Sequence, residues 1–163
     1  MFSKHEIDYG MGFKVIVNNT EAKFSACHFL KEPLKCSRIH GHNYYVSVEV
    51  ESELDENHFV VDFFELKQMV KALIEPLDHY VLIPELSSNL KVSILDESIE
   101  VFTEGNKKYV FPKSDVRFLP LEATTSEMLA KYIHSKLKDV LPNKKITVRV
   151  KESKNTTAVY SDG

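Results

Sequence analysis

Between Ile39 and Glu51 the chain alternates without a break: Tyr44, Val46, Val48 and Val50 hold one parity, and Tyr45, Ser47, Glu49 and Glu51 hold the other. Successive side chains of an extended chain point to opposite faces, so this run is a strand with one face on a core and the other turned away from it. His40 and His42 stand on the apolar parity. Their imidazoles continue the buried row, on one face and roughly 6–7 Å apart along the backbone. A second alternating run, Ala22 to Leu30, carries His28 on the parity of Phe24, Ala26 and Leu30. If the two strands are neighbours, three imidazoles meet at one buried spot. Buried ring nitrogens need partners, and one metal ion satisfies three of them together. Three neutral nitrogens without a fourth protein ligand fit a catalytic zinc, which keeps a position for water or a substrate oxygen. Copper, iron and nickel accept the same donors. The plainer alternative is a set of strand histidines held by ordinary hydrogen bonds.

Around this element the pattern predicts an α+β fold, an antiparallel sheet with two helices on one face. Gly12–Val17 and Ala22–Leu30 read as a hairpin turning through Asn18, Asn19 and Thr20. At Asp62 the period changes to helical, with Asp62 as N-cap, Glu65 three positions on, and Phe63, Leu66, Val70, Leu73 and Leu77 as the apolar stripe ending near Pro76. A second helix spans Thr124 to Val140, opened by a capping box at Thr124–Glu127, striped by Leu129, Ile133, Leu137 and Val140, and stopped by Pro142. Ile99–Phe102 and Lys108–Phe111, joined through Glu104–Lys107, read as a hairpin inserted between the helices within residues 86–119. Ile146–Glu152 and Thr157–Tyr160 complete the sheet. No repeat or linker divides the 163 residues, which suit a single domain, 1–163.

Charge and composition narrow the function. Lys and Arg number 21 against 24 Asp and Glu, a net −3, so there is no basic excess to grip a phosphate backbone and nucleic-acid binding is not expected. No apolar run approaches the roughly 18 residues of a membrane helix. The opening MFSKHEIDYG has no apolar stretch before a cleavage-like site, and a cytoplasmic location is expected, with Cys27 and Cys36 as free thiols.

Other polar residues gather near the ends of these elements. Cys36 precedes His40 by four positions, flanked by the cations Lys35 and Arg38. A thiol beside a metal serves as a fourth ligand or, as thiolate, as base or nucleophile. Cys27 lies on the parity opposite to His28 and reads as a small packed residue. Asp78 and His79, at the exit of the first helix, read either as a relay in which the carboxylate fixes the imidazole tautomer or as a helix-end cation with a local partner. Glu152 ends the inward row of Ile146, Val148 and Val150, where a carboxylate could accept two parallel hydrogen bonds from an amidine-like ligand edge; if the strand stops earlier it is simply solvated. Thr125, Ser126 and Glu127 are explained by capping. His5, His58 and His134 carry no expected role, His134 falling on the polar side of its helix.

Six elements in order resemble the 6-pyruvoyl tetrahydropterin synthase and 6-carboxytetrahydropterin synthase family: Phe24-Ser25-Ala26-Cys27-His28, Cys36-x3-His40-Gly41-His42-Asn43-Tyr44, Val61-Asp62-Phe63 through Leu66-Lys67, Leu77-Asp78-His79, Thr125-Ser126-Glu127, and Glu152. The resemblance implies a tunnelling fold in which the sheets of three subunits join into a β-barrel and two trimers stack into a homohexamer, with sites between subunits. It implies Zn2+ on His28, His40 and His42, Cys36 as the proton-abstracting thiolate, Asp78 and His79 as the relay, and Glu152 holding the pterin's 2-amino and ring N–H edge, with Thr125 and Glu127 near the pterin. The implied substrate is 7,8-dihydroneopterin triphosphate. The three residues between Cys36 and His40 look like the branch that makes 6-carboxy-5,6,7,8-tetrahydropterin, releasing triphosphate and acetaldehyde, for deazapurine precursors of queuosine or archaeosine type. The alternatives are the pyruvoyl product from the same substrate, or a non-catalytic zinc module that binds a pterin or purine. A branch that carries glutamate in place of the thiol is disfavoured, because no Glu lies between Cys36 and His40. The insertion at 86–119 is the main departure from the compact family pattern.

Overall fold

The long alternating run forms the central strand, and the sheet assembles on both of its edges. A computed structural model describes residues 12–18 and 22–162. In chain order it contains β1 (Phe13–Val17), β2 (Lys23–His28), β3 (His40–Ser52), α1 (Phe63–Ile74), β4 (Tyr80–Pro84), β5 (Leu90–Ile94), β6 (Ser98–Thr103), β7 (Lys108–Pro112), β8 (Val116–Leu119), α2 (Ser126–Val140), β9 (Lys145–Lys151) and β10 (Thr157–Ser161). The main sheet runs β10-β9-β3-β2-β4-β8, with β1 also on β3.

The expected β1–β2 hairpin does not form. Both strands pair antiparallel with β3 along the same edge, β1 from Phe13↔Ser52 to Val17↔Val48 and β2 from Lys23↔Tyr45 to His28↔His40, while β9 takes the opposite edge. The reason is length: β3 has 13 residues, enough backbone to pair with two short strands laid end to end. Asn19 and Thr20 of the expected turn lie outside the described residues, as do His5 and the N-terminal segment. The sheet is also less antiparallel than expected, because β4 pairs parallel with β2 and β8 parallel with β4. The segment Tyr80–Pro84 is a short apolar run that lacks alternation, so no period marked it as a strand. The insertion carries the expected β6–β7 pair, but β5 joins it to make a separate three-stranded sheet, and Val116–Leu119 belongs to the main sheet.

Tyr44, Val46, Val48 and Val50 of β3 and Ile146, Val148 and Val150 of β9 pack on Leu66, Val70 and Ile74 of α1 and Leu129, Ile133 and Leu137 of α2. Each fully buried side chain of this size contributes about 1.5–3 kcal/mol. Asp62 caps α1, its Oδ1 accepting from the N–H groups of Phe64 at 2.8 Å and Glu65 at 3.0 Å, and Phe63 stays outside the core. The cap of α2 is Thr125 rather than Thr124, its Oγ1 accepting from Met128 N–H at 3.4 Å. A smaller core of Phe29, Ile83, Ile99, Val101 and Val116 ties the inserted sheet to β2 and β4. Among the described residues no helix is long and apolar enough to cross a membrane.

Three expectations about single residues are corrected. His134 lies on the buried face of α2, with its Nε2 2.8 Å from Asp162 Oδ1, because the end of the chain folds back over that helix. Val140, expected in the stripe, is exposed instead. Cys27 is exposed rather than packed, since its parity is that of the sheet face the helices leave uncovered.

Candidate metal centre and its cavity

Strand register alone brings the histidines together. β2 and β3 pair with His28 opposite His40 and Ala26 opposite His42, so the three rings share one face at one end of the sheet. Ring centroids lie 4.6 Å apart for His28–His40, 5.3 Å for His28–His42 and 5.0 Å for His40–His42. One nitrogen from each ring lies within 4.8 Å of the others. Tetrahedral ligation at about 2.0–2.1 Å needs nitrogens roughly 3.4 Å apart, within reach of small ring rotations.

The backbone sets the tautomers. His28 Nδ1 lies 2.8 Å from the Thr124 carbonyl, and His40 Nδ1 lies 2.7 Å from the Arg38 carbonyl. A carbonyl only accepts, so both rings donate from Nδ1 and keep the Nε2 lone pair for a ligand. This use of Thr124, which is fully buried, explains why the cap of α2 falls one residue later. Tyr44 O–H lies 3.3 Å from His28 Nε2 beneath the cluster, and burial raises the phenol, which stays neutral. No cysteine or carboxylate of the described residues joins the cluster. Three imidazoles, two of them oriented by carbonyls, are a donor set that fits a divalent metal with an open coordination position.

Burial, reinforced by the neighbouring His40 and His42, lowers His28 to about 4 from 6.5, despite the opposing effect of its hydrogen bond to Thr124. The unfolded chain thus takes up a proton at His28 below about pH 6.5, and the folded chain only below about pH 4. Metal-free protein keeps this stabilisation above the higher value and loses it as pH falls through that window, by on the order of 3 kcal/mol. Urea midpoints of metal-free protein measured from pH 7 down to pH 4 should decline. A flat profile would contradict a buried neutral His28.

The cluster opens on a cavity of about 570 Å³ that is also lined by Cys36, Thr125, Ser126, Glu127 and Glu152. β9 stops at Lys151, yet Glu152 remains at the cavity, held by Ser126, whose Oγ–H donates to Glu152 Oε2 at 2.7 Å. One hydrogen bond leaves a carboxylate several acceptor positions. Ser126 is the first residue of α2, so the positive end of that helix faces the same space. Sequence reasoning assigned Ser126 only to capping and missed it as the carboxylate's partner. It also missed the two carbonyls that orient the rings, since backbone acceptors leave no residue signature.

Asp78 and His79 stand apart from this cavity. They follow a 3-10 turn at Glu75–Leu77 and clasp Ser25: Asp78 Oδ1 accepts from Ser25 N–H at 2.6 Å, and His79 N–H donates to Ser25 O at 2.6 Å. Both contacts are to the Ser25 backbone at the β2–β4 edge, and neither Asp78 nor His79 lines the cavity. His79 Nδ1 lies 2.8 Å from Asp78 Oδ2, and the His79 side chain is 81% exposed. The Ser25 N–H, with His79 beside it, holds the Asp78 carboxyl below its usual range. His79 has a φ of 64°, a left-handed conformation that costs about 1–3 kcal/mol for such a residue and is locked here by the Ser25 bond.

Comparison with known proteins gives a consistent picture. Residues 18–162 match the family described as 6-pyruvoyl tetrahydropterin synthase. The chain is 30% identical over 150 residues to the 6-carboxy-5,6,7,8-tetrahydropterin synthase of Bacillus subtilis, covering 87% of this chain and 82% of that protein. It is 34% identical over 105 residues to the enzyme of the same name from Aquifex aeolicus, covering 64% of this chain and 57% of that one. Among solved structures, Plasmodium falciparum 6-pyruvoyl tetrahydropterin synthase superposes with a TM-score of 0.86 at 29% identity, over 93% of this chain and 98% of that one.

Proposed function

Since the chain belongs to the 6-pyruvoyl tetrahydropterin synthase family, we propose that it is a zinc-dependent 6-carboxy-5,6,7,8-tetrahydropterin synthase acting on 7,8-dihydroneopterin triphosphate. The observation that carries this reading is the convergence of His28, His40 and His42 over a cavity that also holds Cys36 and Glu152. Glu152, oriented by Ser126, accepts the 2-amino and ring N–H donors of the pterin side by side. Thr125 and Glu127 border the bound ring at the start of α2. Zinc on the three imidazoles supplies Lewis acidity and a template for the hydroxyls of the substrate side chain. Cys36, as thiolate, takes the proton from the side-chain carbon beside the pterin ring. His79, its Nδ1–H held by Asp78, exchanges a second proton through Nε2.

Asp78 and His79 do not reach the cavity of their own subunit, so this chemistry requires sites shared between subunits. A tunnelling barrel assembled as a homohexamer meets that requirement. Ile16, Tyr45 and Val159, exposed on the sheet face opposite the helices, support it, as does β10 at the edge of the sheet. The carboxy product is favoured over the pyruvoyl one by the Cys36–His40 spacing and by relatives named for that activity. It would serve deazapurine precursor synthesis in the cytoplasm, where free Cys27 and Cys36 are chemically at ease.

Incubation with 7,8-dihydroneopterin triphosphate and mass analysis of the pterin product tests the proposal. The expected result is 6-carboxytetrahydropterin with one acetaldehyde per turnover. A product that retains every side-chain carbon would identify the pyruvoyl activity instead, and bound but unchanged pterin would identify a binding module.

A further inference from the structure

We propose that Lys107, at the tip of the inserted three-stranded sheet, is a positioning residue that fixes the loop carrying Cys36. The inference rests on the reading of Cys36 as the reacting thiol. Residues between β2 and β3 form a tight loop: Cys36 N–H donates to Pro33 O at 2.8 Å, and Leu30 N–H donates to Cys36 O at 2.9 Å. The next residue is held from outside the loop. Lys107 Nζ donates to Ser37 O at 2.7 Å and to Ser37 Oγ at 2.8 Å, and Ser37 Oγ–H donates in turn to Leu34 O at 2.8 Å. Hydrogen bonds from an ammonium group are roughly twice as strong as neutral ones.

On this side the Tyr109 hydroxyl also donates to Ser37 O, at the longer distance of 3.4 Å. A second cavity, about 470 Å³, is lined by Leu34 and Ser37 from the loop and by Thr103, Gly105 and Lys107 from the insert. The tip that carries Lys107 is itself anchored. Lys107 N–H donates to Thr103 Oγ1 at 3.3 Å, and Thr103 N–H donates to Lys107 O at 3.0 Å. Asn106 takes the left-handed turn position with φ 59°. Lys31 pairs with Glu104 at 2.7 Å, and Phe29 stacks on Tyr109 with centroids 5.0 Å apart. The insertion thereby becomes a rigid bracket from the end of β2 to the residue after the thiol. A base displaced by about 1 Å loses on the order of 100-fold in rate.

The test compares wild type with Lys107→Met and Lys107→Arg in full-length, metal-loaded protein. It measures kcat and KM for 7,8-dihydroneopterin triphosphate and the iodoacetamide alkylation rate of Cys36 relative to Cys27 by peptide mass. Lys107→Met is expected to lower kcat about 10- to 100-fold with KM within about threefold and metal content unchanged. The released loop should raise the Cys36 to Cys27 alkylation ratio at least about threefold. Lys107→Arg, which still donates to Ser37, should restore both. If Lys107→Met does not fold, Lys107→Leu, which likewise lacks a donor, is read in the same way. Unchanged kcat and alkylation ratio, or an Arg variant as impaired as the Met variant, would overturn the inference. If wild type turns over no pterin, the function reading fails while the alkylation ratio still decides the positioning role.

Discussion

His42→Ala is expected to leave the protein folded and unable to retain metal. His42 is half-buried at the open end of β3, and its removal takes one of three donors while the apolar row behind it, Tyr44 to Val50, keeps its packing. Loss of a partner that merely orients a ligand weakens metal binding about 10- to 100-fold, so loss of the ligand itself should exceed about 100-fold. Metal analysis after dialysis should give far less than one ion per subunit, with turnover at background and an unchanged far-ultraviolet spectrum. A full metal complement in this variant would remove His42 from the ligand set.

Cys36→Ala should do the reverse, keeping the metal and losing the reaction. Cys36 lines the cavity but stands outside the cluster of ring nitrogens. A positioned base contributes about 10²–10⁴-fold, so kcat should fall by that factor with KM little altered. Retained turnover would reassign the proton abstraction to another group. The pair separates two roles that both abolish activity: one variant is inactive because the metal has gone, the other with the metal in place.

The convergence of the three histidines was legible in the sequence because it rests on parity. His28, His40 and His42 share rows with Phe24, Ala26, Tyr44 and Val46, and period-two patterning survives any detail of loop geometry. The strand β4 and the parallel pairing around it were hidden, since a five-residue apolar run has no period to read. His134 was misread because helical periodicity places a residue on a face without revealing that Asp162, from the far end of the chain, would come to meet it. The Asp78–His79 contact was visible as adjacency, but its direction was not. That direction follows from the parallel β2–β4 pairing, which begins at Tyr80, and from a left-handed residue at His79.

The row on β3 that begins with His40 and His42 ends as the hydrophobic floor beneath both helices. A slip of one residue between β2 and β3 would turn every member of that row to the opposite face. The valines would be stranded in solvent and the imidazoles separated from His28 in the same event. A misaligned molecule would thereby also lack the three-imidazole donor set, so one register both buries the valines and builds the candidate site.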